Sequence, residues 1–422
     1  MSKITEVKSA LLGDKYYRID HNSGLTIYLY PKPDYNSKYA IFGTRYGSVN
    51  NAFSLDGGEV KKVPDGIAHY LEHKMFECED GDAFLKYAKT GANANAYTSF
   101  DKTCYLFSCA DNFDESLNIL LDFVQRPYFT EETVAKEQGI IGQEIRMYDD
   151  SAEWRVMFNM LENMYHTHPV QLDIAGTVES IAQITPGLLY DCYYTFYNLN
   201  NMALCVAGDL TPEDILKTAD KLLKPCEKHT IESFFEDEPY EIVKDYVEQA
   251  FPVSVPLFNL GFKDKAHKVS QKEMAEIEIL IEVLTSPSSE LYKILDDKKL
   301  INQSFDSEYF NGQGYNAVFF SGESRNPQEA AKVIRNYISE IKRKGISAEA
   351  FEIARREVYG DAVSALNSVD NIANTMMEFH FNNIDIFGII DDISGCTLDD
   401  VNKRLLSMLD VNNSTLSVVK PQ

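Results

Sequence analysis

At 422 residues the chain exceeds one ordinary domain, and two units of about 200 residues are the natural expectation. Hydrophobic content of 44%, with 25 Tyr and 24 Phe, is ample for packed cores and excludes a disordered chain. A formal net charge of −25 argues against nucleic acid as a partner and favours neutral or basic ligands, unless it serves solubility alone.

The N-terminal MSKITEVKSALLGDKYYRID lacks the layout of a signal peptide, and no apolar run approaches the roughly 18 residues that cross a bilayer, so a cytoplasmic chain with no membrane partner is expected. Seven cysteines, an odd number with no CxxC pair, suit reduced and mostly buried thiols rather than disulfides or zinc ligands. LTIYLYP (25–31) and KYAIFGTRYGS (38–48) are rich in β-branched and aromatic residues, as strands are. Pro64-Asp65-Gly66 then breaks the chain. Asp65 is placed to cap a helix that begins near Gly66, carries HYLEH (69–73) and ends before Glu79-Asp80-Gly81. A second short helix is expected from Asp82 to Gly91. NAYTSFDKTCYLFSC (95–109) reads as strand with a turn near Asp101. Phe113, Leu117, Leu120, Leu121 and Val124 follow helical spacing behind an Asp111 cap, and Thr130 opens a helix to about Tyr148. Strands and helices mix without strict βαβ alternation, which points to an α+β fold.

The second half repeats the first. DIAGTVESIAQIT (173–185) matches DIFGIIDDISGCT (385–397), and NNMALCV from Asn200 matches NNSTLSV from Asn412, both at an offset of 212. YLFSCADNFDESLNILLDFV (105–124) has a looser counterpart in VFFSGESRNPQEAAKVIRNY (318–337). Two copies of one unit follow, over 1–230 and 242–422, joined by the acidic stretch 231–241.

HYLEH carries the chemistry. On a helix, His69, Glu72 and His73 converge on one spot. Two neutral imidazoles suit zinc, and a catalytic site needs a third protein ligand while leaving a position for water. Glu72 is then free to act as a base. VAKEQGIIGQEIRMYDD (134–150) offers the third ligand, because Glu137 and Glu144 are seven apart on one helix face, roughly 10 Å from one another. Only one of them can reach the metal directly. Gly139 and Gly142 between them each cost about 1 kcal/mol relative to alanine. Close approach to another backbone, the HYLEH helix, is the expected reason.

HYLEH with Glu144 71 positions after His73, and Glu137 one heptad earlier, resembles the inverted-motif zinc peptidases of the insulinase, pitrilysin and mitochondrial processing peptidase family. The resemblance covers the whole chain and implies two homologous repeats, each a mixed, largely antiparallel sheet covered by helices. It implies one zinc ion per chain on His69, His73 and Glu144, with Glu72 as catalytic base and Glu137 orienting a ligand. GANANAYTSFDKTCYLF is similar to the family's substrate-binding edge strand, with Asn95 and Ala96 at its substrate-contact positions. IGQEIRMYDD and GTVESI add a likeness to short bacterial members whose names refer to elongation factor P 5-aminopentanol modification.

The second repeat departs from the pattern. It has no HxxEH, and its comparable helix reads EMAEIEILIEVLTSPSSELY (273–292). Active members commonly add an arginine and tyrosine from a segment resembling LRxxxGLAY; ILDDKKLINQSF (294–305) has Asp296 in the arginine's place and no tyrosine near Asn302. Tyr309 or Tyr315 could substitute, although strand and turn roles suit them better. The implied function is a zinc-dependent endopeptidase or oligopeptidase acting on extended peptides, with acidity favouring basic ones. A chamber of four units implies a homodimer, or a heterodimer whose sister subunit supplies the arginine-tyrosine pair. The alternative from another class is a non-catalytic scaffold or maturation subunit that binds a partner's peptide segment on the same strand.

Overall fold

The computed structural model describes residues 2–422. Seven strands form the first sheet, in the order Lys3–Lys8, Lys15–Asp20, Thr26–Pro31, Met202–Gly208, Lys38–Thr44, Thr103–Cys109, Asn93–Thr98. Met202–Gly208 runs parallel to Thr26–Pro31 and all other neighbours are antiparallel. The strands expected at 25–31 and 38–48 are present as Thr26–Pro31 and Lys38–Thr44, the second ending four residues early, and the expected turn at Asp101 makes a hairpin of the last two. A second sheet has the order Tyr246–Phe251, Ser414–Pro421, Leu257–Asp264, Tyr315–Glu323, Asp306–Gly312, again with a parallel first pair and antiparallel neighbours thereafter. Its five strands reproduce the last five of the first sheet in order and direction. The matched NNMALCV and NNSTLSV are one element in both copies, a single 3-10 turn leading into the strand beside the parallel partner. The α+β reading and the internal repeat are both present in the fold.

The two compact units are interleaved with respect to the sequence repeats. The first takes the chain up to Ile145, Asp173–Phe234 and Ser364–Phe387; the second takes Arg146–Leu172, Phe235–Val363 and Gly388–Gln422. In the first unit, helix Val369–Asn382, from the second repeat in sequence, packs on Met202–Gly208 and Lys38–Thr44. A Cβ on Gly43 would lie 2.8 Å from Met377 Sδ, so glycine admits that helix. In the second unit, helix Ala152–Met164, from the first repeat, packs on Leu257–Asp264 and Ser414–Pro421, and a Cβ on Gly261 would lie 2.3 Å from Met164 Cε. The stretch 231–241 is ordered: Ile231–Ser233 pairs with Ala52–Leu55 in the first unit, and in the second Glu238 accepts from the Lys263 ammonium and the backbone N–H groups of residues 166–168.

Local signals fix most helix ends. Asp82 accepts from Phe84 N at 2.7 Å to open Ala83–Thr90, which Gly91 closes at φ 76°. Thr130 Oγ1 accepts from Thr133 N at 3.2 Å and opens Glu131–Asp149. Two expected caps are corrected. Asp65 does not cap Ile67–Met75; its carboxylate accepts from Asn51 Nδ2 at 3.0 Å, and the helix starts at Gly66 with φ 86° and no side-chain cap. Asp111 does not cap Phe113–Phe123, because Asn112 takes the cap position at φ 55° and its side chain donates to Thr90 O.

The surroundings of Gly66, at the start of the HYLEH helix, require a glycine. A Cβ there would lie 2.3 Å from Ala175 O, while Ser180 Oγ donates to Asp65 O at 2.8 Å. The repeated segment at 173–180 thus clamps the start of the HYLEH helix. Gly66→Ala meets both a left-handed backbone and a backbone oxygen, and should destabilise by about 2–4 kcal/mol. The measurement is the urea unfolding midpoint; an unchanged midpoint would contradict the clamp.

Candidate metal centre

Helix Ile67–Met75 lies against Asn93–Thr98 and buries nearly every side chain, so His69 and Glu72 are only 7% and 8% exposed. Among the described residues, His69, Glu72 and His73 form the one group of His, Cys, Asp or Glu side chains gathered closely enough to hold a metal, with one ligand atom from each within 4.8 Å of the others. Glu131–Asp149 packs alongside, its Val134 carbonyl accepting from the Tyr70 hydroxyl. It brings two carboxylates. Glu144 lies 3.3 Å from His73 Nε2 and 3.7 Å from His69 Nε2, and Glu137 Oε1 lies 3.1 Å from His73 Nδ1.

These distances test whether the residues fit a zinc ion. Two ligand atoms each about 2.0–2.1 Å from a tetrahedral zinc lie roughly 3.4 Å apart. Both imidazole-to-Glu144 separations fall near that value, and His73 presents its other nitrogen to a carboxylate, as metal-bound histidines ordinarily do. The donor set fits. Gly139 and Gly142 need correction: a Cβ on either would find nothing within 4 Å, so no backbone approach accounts for them. The two helices meet through side chains, and nothing else in the structure explains these glycines.

The electrostatics suit the same use. Burial, reinforced by the neighbouring His73, pushes the His69 imidazole down to about 4, so it is neutral and able to ligate at ordinary pH. Burial would lower His73 too, but its bonds to Glu137 and Glu144 outweigh it and hold the ring up to about 10. The proton on Nε2, facing Glu144, occupies the position that a cation takes in exchange, while the Nδ1 proton stays directed at Glu137. Burial raises Glu72 to about 7, against the lowering effects of His73 and a hydrogen bond from Thr98. A carboxylate near 7 is matched to taking a proton near neutrality. Glu137 is held below its ordinary range because the bond to His73 overcomes burial.

Asn93–Thr98 is the terminal strand of its sheet, paired on one side only through Ala96↔Tyr105 and Asn95↔Leu106. Asn95 is exposed, and its Oδ1 accepts from Ala96 N at 2.9 Å. The edge is therefore open, with one amide masked by a neighbouring side chain. In the second unit, Glu290–Asp297 is a short helix carrying Asp296, while Tyr309 and Tyr315 lie in the strands Asp306–Gly312 and Tyr315–Glu323. Sequence reading passed over Thr98, whose Oγ1 donates to Glu72 Oε2 at 3.2 Å. The available signal was the two-residue period of a strand, which puts Thr98 on the face of Ala96.

The comparisons bear on the family and the fold. The insulinase (peptidase family M16) model matches residues 50–178, and the model described as the M16 inactive domain matches residues 183–358. The chain is 39% identical to zinc protease YmfH of Bacillus subtilis (strain 168), over 99% of this chain and 100% of that one. It superposes on an M16-like peptidase from Alicyclobacillus acidocaldarius with TM-score 0.92 and 33% identity, covering 100% and 99% of the two chains. Pitrilysin shares the fold at TM-score 0.75 and 15% identity, with all of this chain covering 47% of that one. No helix among the described residues is long and apolar enough to cross a membrane. With its repeated fold, its HYLEH helix and its paired glutamates, the chain belongs to the insulinase (M16) family of peptidases.

Proposed function

We propose that this chain is a zinc-dependent endopeptidase or oligopeptidase that cleaves peptides bound in extended form. The observation that carries this reading is the convergence of both HYLEH imidazoles on Glu144, with the buried Glu72 carboxylate beside them and an open strand edge alongside. His69, His73 and Glu144 would hold the ion. When bound, zinc supplies Lewis acidity and lowers the pKa of a water. Glu72 takes the proton and later returns it to the leaving amine. Glu137 fixes the tautomer and orientation of His73 through Nδ1.

The peptide pairs along Asn93–Thr98, where its carbonyl replaces Asn95 Oδ1 on the Ala96 N–H. Backbone pairing requires little sequence selectivity; the net charge of −25 biases the preference towards basic peptides. Because this chain covers about half of pitrilysin, at 47%, a dimer supplies the remaining units, either as two copies or with a sister subunit carrying an arginine-tyrosine pair. A fully active monomer in sedimentation would remove the dimer. Six of the seven cysteines are buried and all are free, which suits the cytoplasm. The test is cleavage of a mixed library of acidic and basic fluorogenic peptides. Chelation should abolish turnover and about one equivalent of zinc should restore it, whereas turnover indifferent to chelator would defeat the proposal.

A further inference from the structure

We infer that Thr98 is the positioning residue for the Glu72 carboxylate and ties it to the strand on which the peptide pairs; this deepens the peptidase reading and rests on it. Thr98 is the last residue of the edge strand Asn93–Thr98, and strand periodicity puts it on the same face as Ala96. Its hydroxyl donates to Glu72 Oε2 at 3.2 Å, and among the described residues no other hydrogen bond reaches that carboxylate. Glu72 is 8% exposed, so one hydroxyl carries most of the task of orienting a buried acid.

The hydroxyl has a second neighbour. Thr98 Oγ1 lies 3.4 Å from Thr103 Oγ1, and the Thr103 proton is committed to Tyr46 O at 2.8 Å. The Thr98 proton is therefore the one free to bond Glu72, and at 3.2 Å the carboxylate is the nearer of its two acceptors. Holding Oε2 in this way leaves Oε1 as the oxygen that exchanges a proton with the water and the leaving amine. Thr103 faces Thr98 directly across the hairpin, so the arrangement is built into the pairing register.

Peptide pairing at Ala96 orders the backbone two residues before Thr98, whose branched side chain has few rotamers once that backbone is set. Substrate binding and alignment of the base are thereby one event. The test compares Thr98→Val, which keeps shape and loses the hydroxyl, with Thr98→Ser, which keeps the hydroxyl. Thr98→Val should lower kcat about tenfold to thirtyfold with KM within about twofold and zinc content unchanged, and Thr98→Ser should recover most of kcat. In a Glu72→Gln background, Thr98→Val should cause no further fall in kcat and leave peptide affinity, read by fluorescence anisotropy, unchanged. Should Thr98→Val fail to fold, Thr98→Ala replaces it with the same expectations. Wild-type kcat in Thr98→Val, a change confined to KM, or a Thr98→Ser as impaired as Thr98→Val would each overturn the inference while an inactive Glu72→Gln leaves the peptidase reading standing. An active Glu72→Gln would overturn both.

Discussion

Glu72→Gln is expected to lower kcat/KM by about 10²–10⁴-fold while leaving the fold and the zinc content as they are. The side chains match in shape, and the glutamine carbonyl still accepts the Thr98 hydroxyl that now reaches Glu72 Oε2. What disappears is the ability to accept a proton. Burial raises the Glu72 carboxyl to about 7, so exchanging it for a neutral amide relieves a desolvation penalty and stability should hold or rise. The same variant separates peptidase from scaffold, since a scaffold keeps its cellular function without a base. Steady-state kinetics on fluorogenic peptides, with metal content on the same preparation, decide the matter. Turnover within a few fold of wild type would exclude Glu72 as the base.

His73→Ala should have a comparably large effect by a different route, removing metal and turnover together. His73 is the link between the two carboxylates, with Nδ1 at 3.1 Å from Glu137 and Nε2 at 3.3 Å from Glu144. Without it the site keeps one imidazole and two half-buried acids that no cation separates. Loss of an outer partner of a metal ligand costs about 10–100-fold in affinity, and loss of the ligand itself should exceed that. Zinc in the purified variant should fall from about one per chain to near none. Retention of a full equivalent would place the ion elsewhere.

Sequence reached the site further than it reached the fold around it. HYLEH is local: helical spacing alone brings His69, Glu72 and His73 together, and the seven-residue spacing of Glu137 and Glu144 leaves one acid for each side of His73. Strands and the hairpin at Asp101 were legible because composition and turn residues act at short range. The clamp on Gly66 was not, since it depends on Ala175, more than a hundred positions away. Asp65 looked like a cap because such residues usually are; here Asn51 claims its side chain and a glycine takes the left-handed position instead. The exchange of Val369–Asn382 and Ala152–Met164 between repeats is likewise invisible to local patterning, because amphipathicity says that a helix is covered and not by which sheet. Thr98 was within reach of strand periodicity, two residues beyond Ala96 on the same face.

Counting zinc per chain by native mass spectrometry, with peptide cleavage recorded on the same sample, tests the central claim most directly. About one zinc per chain accompanied by cleavage is the expected result. A protein that binds no zinc even after reconstitution, and cleaves nothing, would contradict it.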